Sequence, residues 1–276
     1  MSRRIAISIF LSLTALPFFA GLIYALLYSL GLIGWLSKGF TTEHWSELFS
    51  SDEFYKSIGF SFLIAFIVIA LSVLAALFYI LSRYQKKVSS GILAYFPLGV
   101  PAIVVAFVCF DWLNGSGVIS RFAFNLGLVS SPADFPDLVQ DKFAIGILLA
   151  HLYLAIPFFC ILFADIARRS RLVELIQQAR SLGAEMREVI FKVAIPVLLR
   201  PALPVIFVYG IFVSGSYEIP LLLGRQSPMM FSVFAVEKLQ RFNLADKPVA
   251  YAALVSYALI LITFSIVIMK KRRAYE

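Results

Sequence analysis

Residues 168–196 read RRSRLVELIQQARSLGAEMREVIFKVAIP. Apolar residues recur at Leu172, Leu175, Ile176, Ala179 and Leu182, with Glu174, Gln177, Gln178 and Arg180 between them. That is helical spacing with one apolar stripe and one polar face. Gly183 interrupts the pattern. A second stripe follows at Met186, Val189, Ile190 and Val193, with Glu185, Arg187, Glu188 and Lys192 elsewhere on the surface. The stretch predicts two short amphipathic helices joined at a glycine and held at a membrane surface. Periodicity alone fits a surface helix pair without a partner equally well.

The chain on either side is apolar. Of 276 residues, 61% are hydrophobic and 14% charged. Soluble domains carry roughly 45–50% apolar and about 25% charged residues, so this composition fits a chain whose solvent is mostly lipid. Charge-free windows fall at 5–37, 58–81, 91–110, 143–164, 201–217 and 249–269. A helix crosses the hydrocarbon with about 20 apolar residues, and backbone groups in lipid must be paired internally. Each window therefore predicts a transmembrane helix, six in an all-α polytopic fold. The first window is 33 residues long, against about 7–15 for the apolar stretch of a cleaved signal, and reads as a retained anchor. The fifth is short and is expected to extend past Glu218. The intervening segments 39–57, 114–142 and 224–248 are long enough to hold short helices.

The formal charge of +8 raises nucleic-acid binding as a possibility, but its distribution gives a topology. With the N-terminus inside, cytoplasmic segments hold sixteen Lys and Arg and outer segments eight. Glu43, Glu47, Asp52, Glu53, Asp134, Asp137 and Asp141 all fall outside. This is the positive-inside pattern. It places both termini and 168–192 in the cytoplasm and leaves no nucleic-acid function to explain. Cys109 and Cys160 sit in apolar runs and read as small hydrophobes. With His44 and His151 as the only histidines, no metal site can be assembled. No Gly-rich phosphate loop followed by Lys and Ser or Thr occurs. The chain is thus expected to hold no cofactor and no catalytic residue; ATP, if it drives the protein, is bound by another chain.

The 177–196 stretch resembles the signature of binding-protein-dependent ABC importer permeases of type I. That pattern is Glu-Ala-Ala, three residues, Gly, nine residues, Ile, one residue, Leu-Pro. Here Gln177-Gln178-Ala179 is followed by Gly183, then Val193, Ala194 and Ile195-Pro196 at the same spacing. Ala184 after the glycine is also usual. Gln177 and Gln178 depart from the pattern. The resemblance covers roughly 57–269. It implies residues 1–56 as an added helix and loop, a permease core at 57–270 with its coupling loop at 168–196, and a basic tail at 271–276. It further implies a pair of ABC ATPase subunits, a second permease (homodimer or heterodimer), a periplasmic solute-binding protein and a place in the bacterial inner membrane. On this reading Gln177, Gln178, Ala179, Gly183, Ala184, Glu185, Arg187 and Pro196 form the ATPase-coupling loop.

Ionisable groups at membrane depth are costly and often functional. Asp111 beside Trp112 reads as an interfacial residue. Asp165 is spaced to pair with Arg168 and Arg169. His151 is expected to make a helix-packing hydrogen bond. Glu218 lies in Ser214-Gly215-Ser216-Tyr217-Glu218-Ile219-Pro220, followed by Leu221-Leu222-Leu223-Gly224. Small residues and a proline here suggest a broken helix lining a cavity. Glu218 reads either as a pathway residue or as a structural helix breaker. The segment is similar to one in polyamine, ferric iron and thiamine importer permeases, which implies a substrate of that group. Tyr217, Glu218, Pro220 and Asp111 are the candidate pathway residues. A self-contained secondary transporter is the runner-up, but it calls for paired buried charges and an internal repeat, and neither is evident. A membrane enzyme would need a clustered constellation of chemical groups, and only isolated polar residues occur.

Overall fold

The computed structural model describes residues 3–35, 37, 39–83 and 95–273. Lys38, Lys86, Lys87, residues 91–94 of the third window and residues 274–276 of the basic tail lie outside them. Among the described residues the chain is all-helical, without strands. Six helical segments among the described residues are long and apolar enough to cross a membrane: Ile7–Ser29, Asp52–Ser82, Ala102–Asn125, Ile145–Arg169, Met186–Ser214 and Asp246–Ile268. Only 6% to 39% of their span windows is buried, so most of each span turns outward. Phe10, Leu13, Phe66 and Phe78 are all exposed. An apolar surface of this extent suits lipid.

The chain divides into two compact units, Met1–Ile58 with Phe231–Glu276, and Gly59–Met230. In the first, α1 (Arg3–Ser29) packs on α12 (Asp246–Arg273). The short helices α2 (Glu43–Phe49) and α11 (Phe231–Gln240) close against α12 as well. Ala250, Ala252 and Ala253 are fully buried, and such small residues let helix backbones approach closely. Phe231 stacks on Tyr257 at 4.3 Å. The Trp45 indole donates to Ser29 Oγ at 3.2 Å. The helix α3 (Asp52–Ser82) begins in this unit, with Phe54 buried among Phe231 and Phe234.

The second unit holds the rest of α3, then α4 (Ala102–Leu113), α5 (Val118–Asn125), α6 (Ile145–Arg169), α7 (Leu172–Ser181), α8 (Met186–Glu188), α9 (Ile195–Ser214) and α10 (Glu218–Leu223). Its core runs continuously from Ile64 and Val68 through Val105, Ile147, Phe159 and Phe163 to Leu172, Ile176, Leu198 and Leu223. Thus α7 is bound into the same core as the spans.

Several expected boundaries move. The first span stops at Ser29 rather than Ser37. Gly31, Gly34 and Gly39 there take positive φ, which glycine adopts freely and which ends a helix even where the sequence stays apolar. The third span is broken at 114–117 between α4 and α5. At that break Asn114 accepts from Gly117 N, and Asp137 accepts from Gly115 N at 3.0 Å. The fifth window does not extend past Glu218. Its helix ends at Ser214, and Glu218 opens a separate helix. At its other end the fifth span starts earlier than expected. The second amphipathic helix of the 168–196 stretch runs through a π turn (Val189–Ala194) directly into α9. Pro196 sits in the first turn of α9. A proline ring clashes with the carbonyl four residues back and supplies no N–H, and an extra residue per turn relieves that conflict.

Candidate functional site: the 165–196 surface segment and the 214–224 break

The surface segment starts where α6 runs out. Asp165 accepts from Arg169 at 2.7 Å and lies 3.6 Å from Arg168, the interfacial ion pair that the spacing predicts. Arg171, at φ 50°, reverses the chain into α7. One face of α7 is sunk into the core through Leu172 and Ile176. Gln177, Gln178, Arg180 and Ser181 are exposed on the other.

The end of α7 explains three of the signature residues at once. The Gly183 N–H donates to Arg180 O at 3.0 Å, and the Ala184 N–H donates to Ala179 O at 3.2 Å. This paired pattern is a Schellman motif, with Gly183 at the left-handed position. Gly183 has φ +89°, a conformation that costs other residues about 1 kcal/mol or more. The motif also brings its third-last helical residue against the residue after the glycine. Those are Ala179 and Ala184, both half-buried and packed on the core. Glu185 then extends the chain, and its carbonyl accepts from Val189 N at 3.0 Å. Glu185, Arg187 and Glu188 are exposed, and Glu188 pairs with Lys192 at 2.7 Å.

One residue departs from the periodic reading. Leu182 fits the α7 stripe by spacing, yet it is 88% exposed. It caps the helix rather than continuing it, and the left-handed turn at Gly183 aims it outward. The neighbouring glycine is the signal that spacing alone passes over.

At the 214–224 break, α9 closes with Gly215 N donating to Ile211 O and Ser216 N to Val213 O. After Tyr217 the chain restarts as α10. Ile219, Pro220 and Leu223 are buried, Tyr217 is half-buried and Glu218 is exposed. Helix α10 packs on α4, whose last turn carries Asp111, also exposed. The structure thus brings the Asp111 and Glu218 helices together. Leu223 O accepts from Gln140 N at 2.8 Å. Asp141 caps α6 by accepting from Phe143 N and Ile145 N, each at 2.8 Å. A Cβ added at Gly146 would lie 2.8 Å from Leu138 O, so the 138–146 connection presses directly on α6.

His151 differs from expectation. Its Nδ1 donates to Ile147 O of its own helix at 2.9 Å, and Nε2 has no partner among the described residues. It does not join two helices. Cys109 and Cys160 are free and half-buried.

Residues 87–271 match the family model described as "Binding-protein-dependent transport system inner membrane component". The chain belongs to that family. The permease is 33% identical over 158 residues to the "Probable ABC transporter permease protein y4fN" of Sinorhizobium fredii (strain NBRC 101917 / NGR234). That alignment covers 53% of this chain and 28% of the relative, so the chain spans little more than a quarter of that relative's length. Among solved structures, the permease superposes on a bacterial ABC transporter involved in import of the acidic polysaccharide alginate. The TM-score is 0.70 at 16% identity, covering 98% of this chain and 93% of the other. A second structure, of a bacterial alginate ABC transporter in complex with an alginate pentasaccharide-bound periplasmic protein, gives 0.67 at 16%, covering 94% and 88%. At that identity the likeness is one of fold. The permease is a membrane transport component, and the secondary-transporter reading loses its ground.

Proposed function

We propose that this permease forms half of the translocation pathway of an importer in the bacterial inner membrane. A second permease, identical or similar, supplies the other half. A periplasmic binding protein delivers the solute, and a pair of separate ATPase subunits binds and hydrolyses ATP. Both termini and the 168–196 segment lie in the cytoplasm. The core domain is 57–270, preceded by the 1–56 helix and loop and followed by the 271–276 tail. The single observation that carries this reading is mechanical. Helix α7 shares a core with the spans, and α8 continues through the π turn into α9. Displacement of the surface segment therefore moves two spans, α6 and α9, as one body. Gln177, Gln178, Glu185 and Arg187 face the ATPase, while Ala179, Gly183, Ala184 and Pro196 shape the loop that presents them.

For the solute, we propose a small molecule that passes Tyr217, Glu218 and Asp111, with Pro220 fixing the bend from its buried position. Two exposed carboxylates on packed helices disfavour a polyanion on that route. The comparisons give no support to polyamine, ferric iron or thiamine in particular. Transport by Glu218→Gln is expected to fall about tenfold, the scale of one lost charge-assisted contact. Unchanged uptake would leave Glu218 a structural residue.

Topology has its own test. A single cysteine at Ser181, in a chain lacking Cys109 and Cys160, is expected to react with an impermeant maleimide only from the inner side of sealed vesicles. Labelling from outside would reverse the orientation.

A further inference from the structure

The charges of the 165–192 segment are mostly spent within it. Arg168 and Arg169 pair with Asp165, Arg171 with Glu174 at 3.7 Å, and Lys192 with Glu188. Arg180 and Arg187 are exposed, and neither has an ion pair recorded among the described residues. Among the described residues of the segment, Glu185 is the carboxylate outside these pairs. Between the two arginines in sequence stands Leu182, 88% exposed. Gln177 and Gln178 add hydrogen-bonding capacity without charge. The tip of the α7–α8 turn is thus a bare leucine beside two free guanidiniums, with a net positive charge.

Leaving a leucine side chain in water forgoes the favourable transfer that burial would return. Among the described residues, none covers Leu182. A lipid surface is a poor occupant, because insertion requires a continuous apolar helix face. The apolar face of α7 is already committed: Leu172 and Ile176 are 2% and 1% exposed. Val173 and Phe191 are also exposed, but away from the turn; at the tip itself Leu182 is an apolar side chain flanked by polar ones, the pattern of an anchor in a protein pocket with a charged rim.

We propose that Leu182 is the apolar anchor of the ATPase contact, and that Arg180 and Arg187 select an ATPase groove with a carboxylate-rich rim. This rests on the assignment above of the segment as the ATPase contact. It adds which side chain carries the binding energy and which charge the partner presents.

The probe is the ATP-hydrolysing subunit that co-purifies with the wild-type chain from its native membranes. It is identified by mass spectrometry and its phosphate-loop sequence, then purified. Its affinity is measured for the full chain in phosphatidylcholine nanodiscs. Leu182→Asp is expected to weaken binding about thirtyfold, equivalent to ~2 kcal/mol at 1.4 kcal/mol per decade. Leu182→Met is expected to stay within about threefold, as a near-isosteric apolar swap. The double variant Arg180→Gln/Arg187→Gln is expected to bind about tenfold more weakly at low salt and to lose most of the salt dependence of the wild type. Leu182 is exposed, so these changes remove no internal packing, and size-exclusion profiles check folding.

If Leu182→Asp binds like the wild type while Gly183→Pro does not, the segment is the contact but the anchor lies elsewhere, and this inference alone falls. If no ATPase associates with the wild type, both readings fall. If Leu182→Asp affects only attachment of the segment to phosphatidylglycerol vesicles, the tip docks on lipid and the inference is overturned.

Discussion

Gly183→Pro is expected to reduce solute uptake to background while the chain remains inserted and monodisperse. Gly183 sits at φ +89° with its N–H bonded to Arg180 O. Proline is locked near φ −65° and has no N–H. It also disfavours the near-helical backbone of the residue before it, which is the conformation of Leu182 at φ −81°, ψ 3°. The whole Schellman closure is lost, and the tip no longer points where it did. The damage is local, because Gly183 is exposed and an added Cβ would meet nothing within 4 Å. The effect therefore separates coupling from folding. A graded series sharpens it. Gly183→Asn should stay near wild type, since asparagine tolerates the left-handed region. Gly183→Ala should be intermediate, at a cost of about 1 kcal/mol. Uptake in whole cells and retention of the ATPase subunit are the two readings. A folded Gly183→Pro variant that keeps its ATPase would show that the contact lies elsewhere.

Gly117→Val is expected to be the most disruptive single change in folding. Gly117 has ordinary backbone angles, φ −74° and ψ −174°, so the difficulty is space rather than strain. A Cβ there would approach Asp111 O at 2.6 Å, Trp112 O at 2.8 Å and Asn114 O at 2.9 Å. All three are backbone atoms, two in the last turn of α4 and one in the break that follows it, so no rotamer change relieves them. Overpacking of this kind costs typically about 1–3 kcal/mol, and even Gly117→Ala should bear much of it. At about 2–4 °C per kcal/mol for a chain of this size, the thermal midpoint in detergent should fall by several degrees. Gly21→Ala and Gly59→Ala serve as controls, because an added Cβ meets nothing within 4 Å at either. Both lie inside helices, where alanine is preferred to glycine. An unshifted midpoint for Gly117→Val would contradict the tight carbonyl turn.

The number and rough position of the spans were legible because lipid requires about 20 consecutive apolar residues, and a simple count finds them. Their ends were not. Leu30, Leu32, Ile33 and Trp35 keep the first window apolar beyond Ser29, so only the positive-φ glycines mark the stop. The amphipathic stripe of α7 was right at Leu172 and Ile176 and wrong at Leu182, because period counting assumes that the helix continues. The Glu218 break was visible in its small residues and proline. That it divides one expected span into α9 and α10 required the backbone hydrogen bonds at Gly215 and Ser216. His151 shows a different limit. Its burial followed from its place in the span, but its partner is a carbonyl of its own helix, which no spacing of side chains reveals.

The π turn at Val189–Ala194 sets a phase as well as a direction. An α-helix advances about 100° per residue, so one residue more in a single turn rotates everything on its far side by about that angle. The exposed Glu185 and Arg187 therefore point where an uninterrupted helix would not have aimed them relative to the buried Leu198 and Ala202. Six residues serve as an angular offset between two ends of one rod, so that the face meeting the core and the face meeting water need not obey a common period.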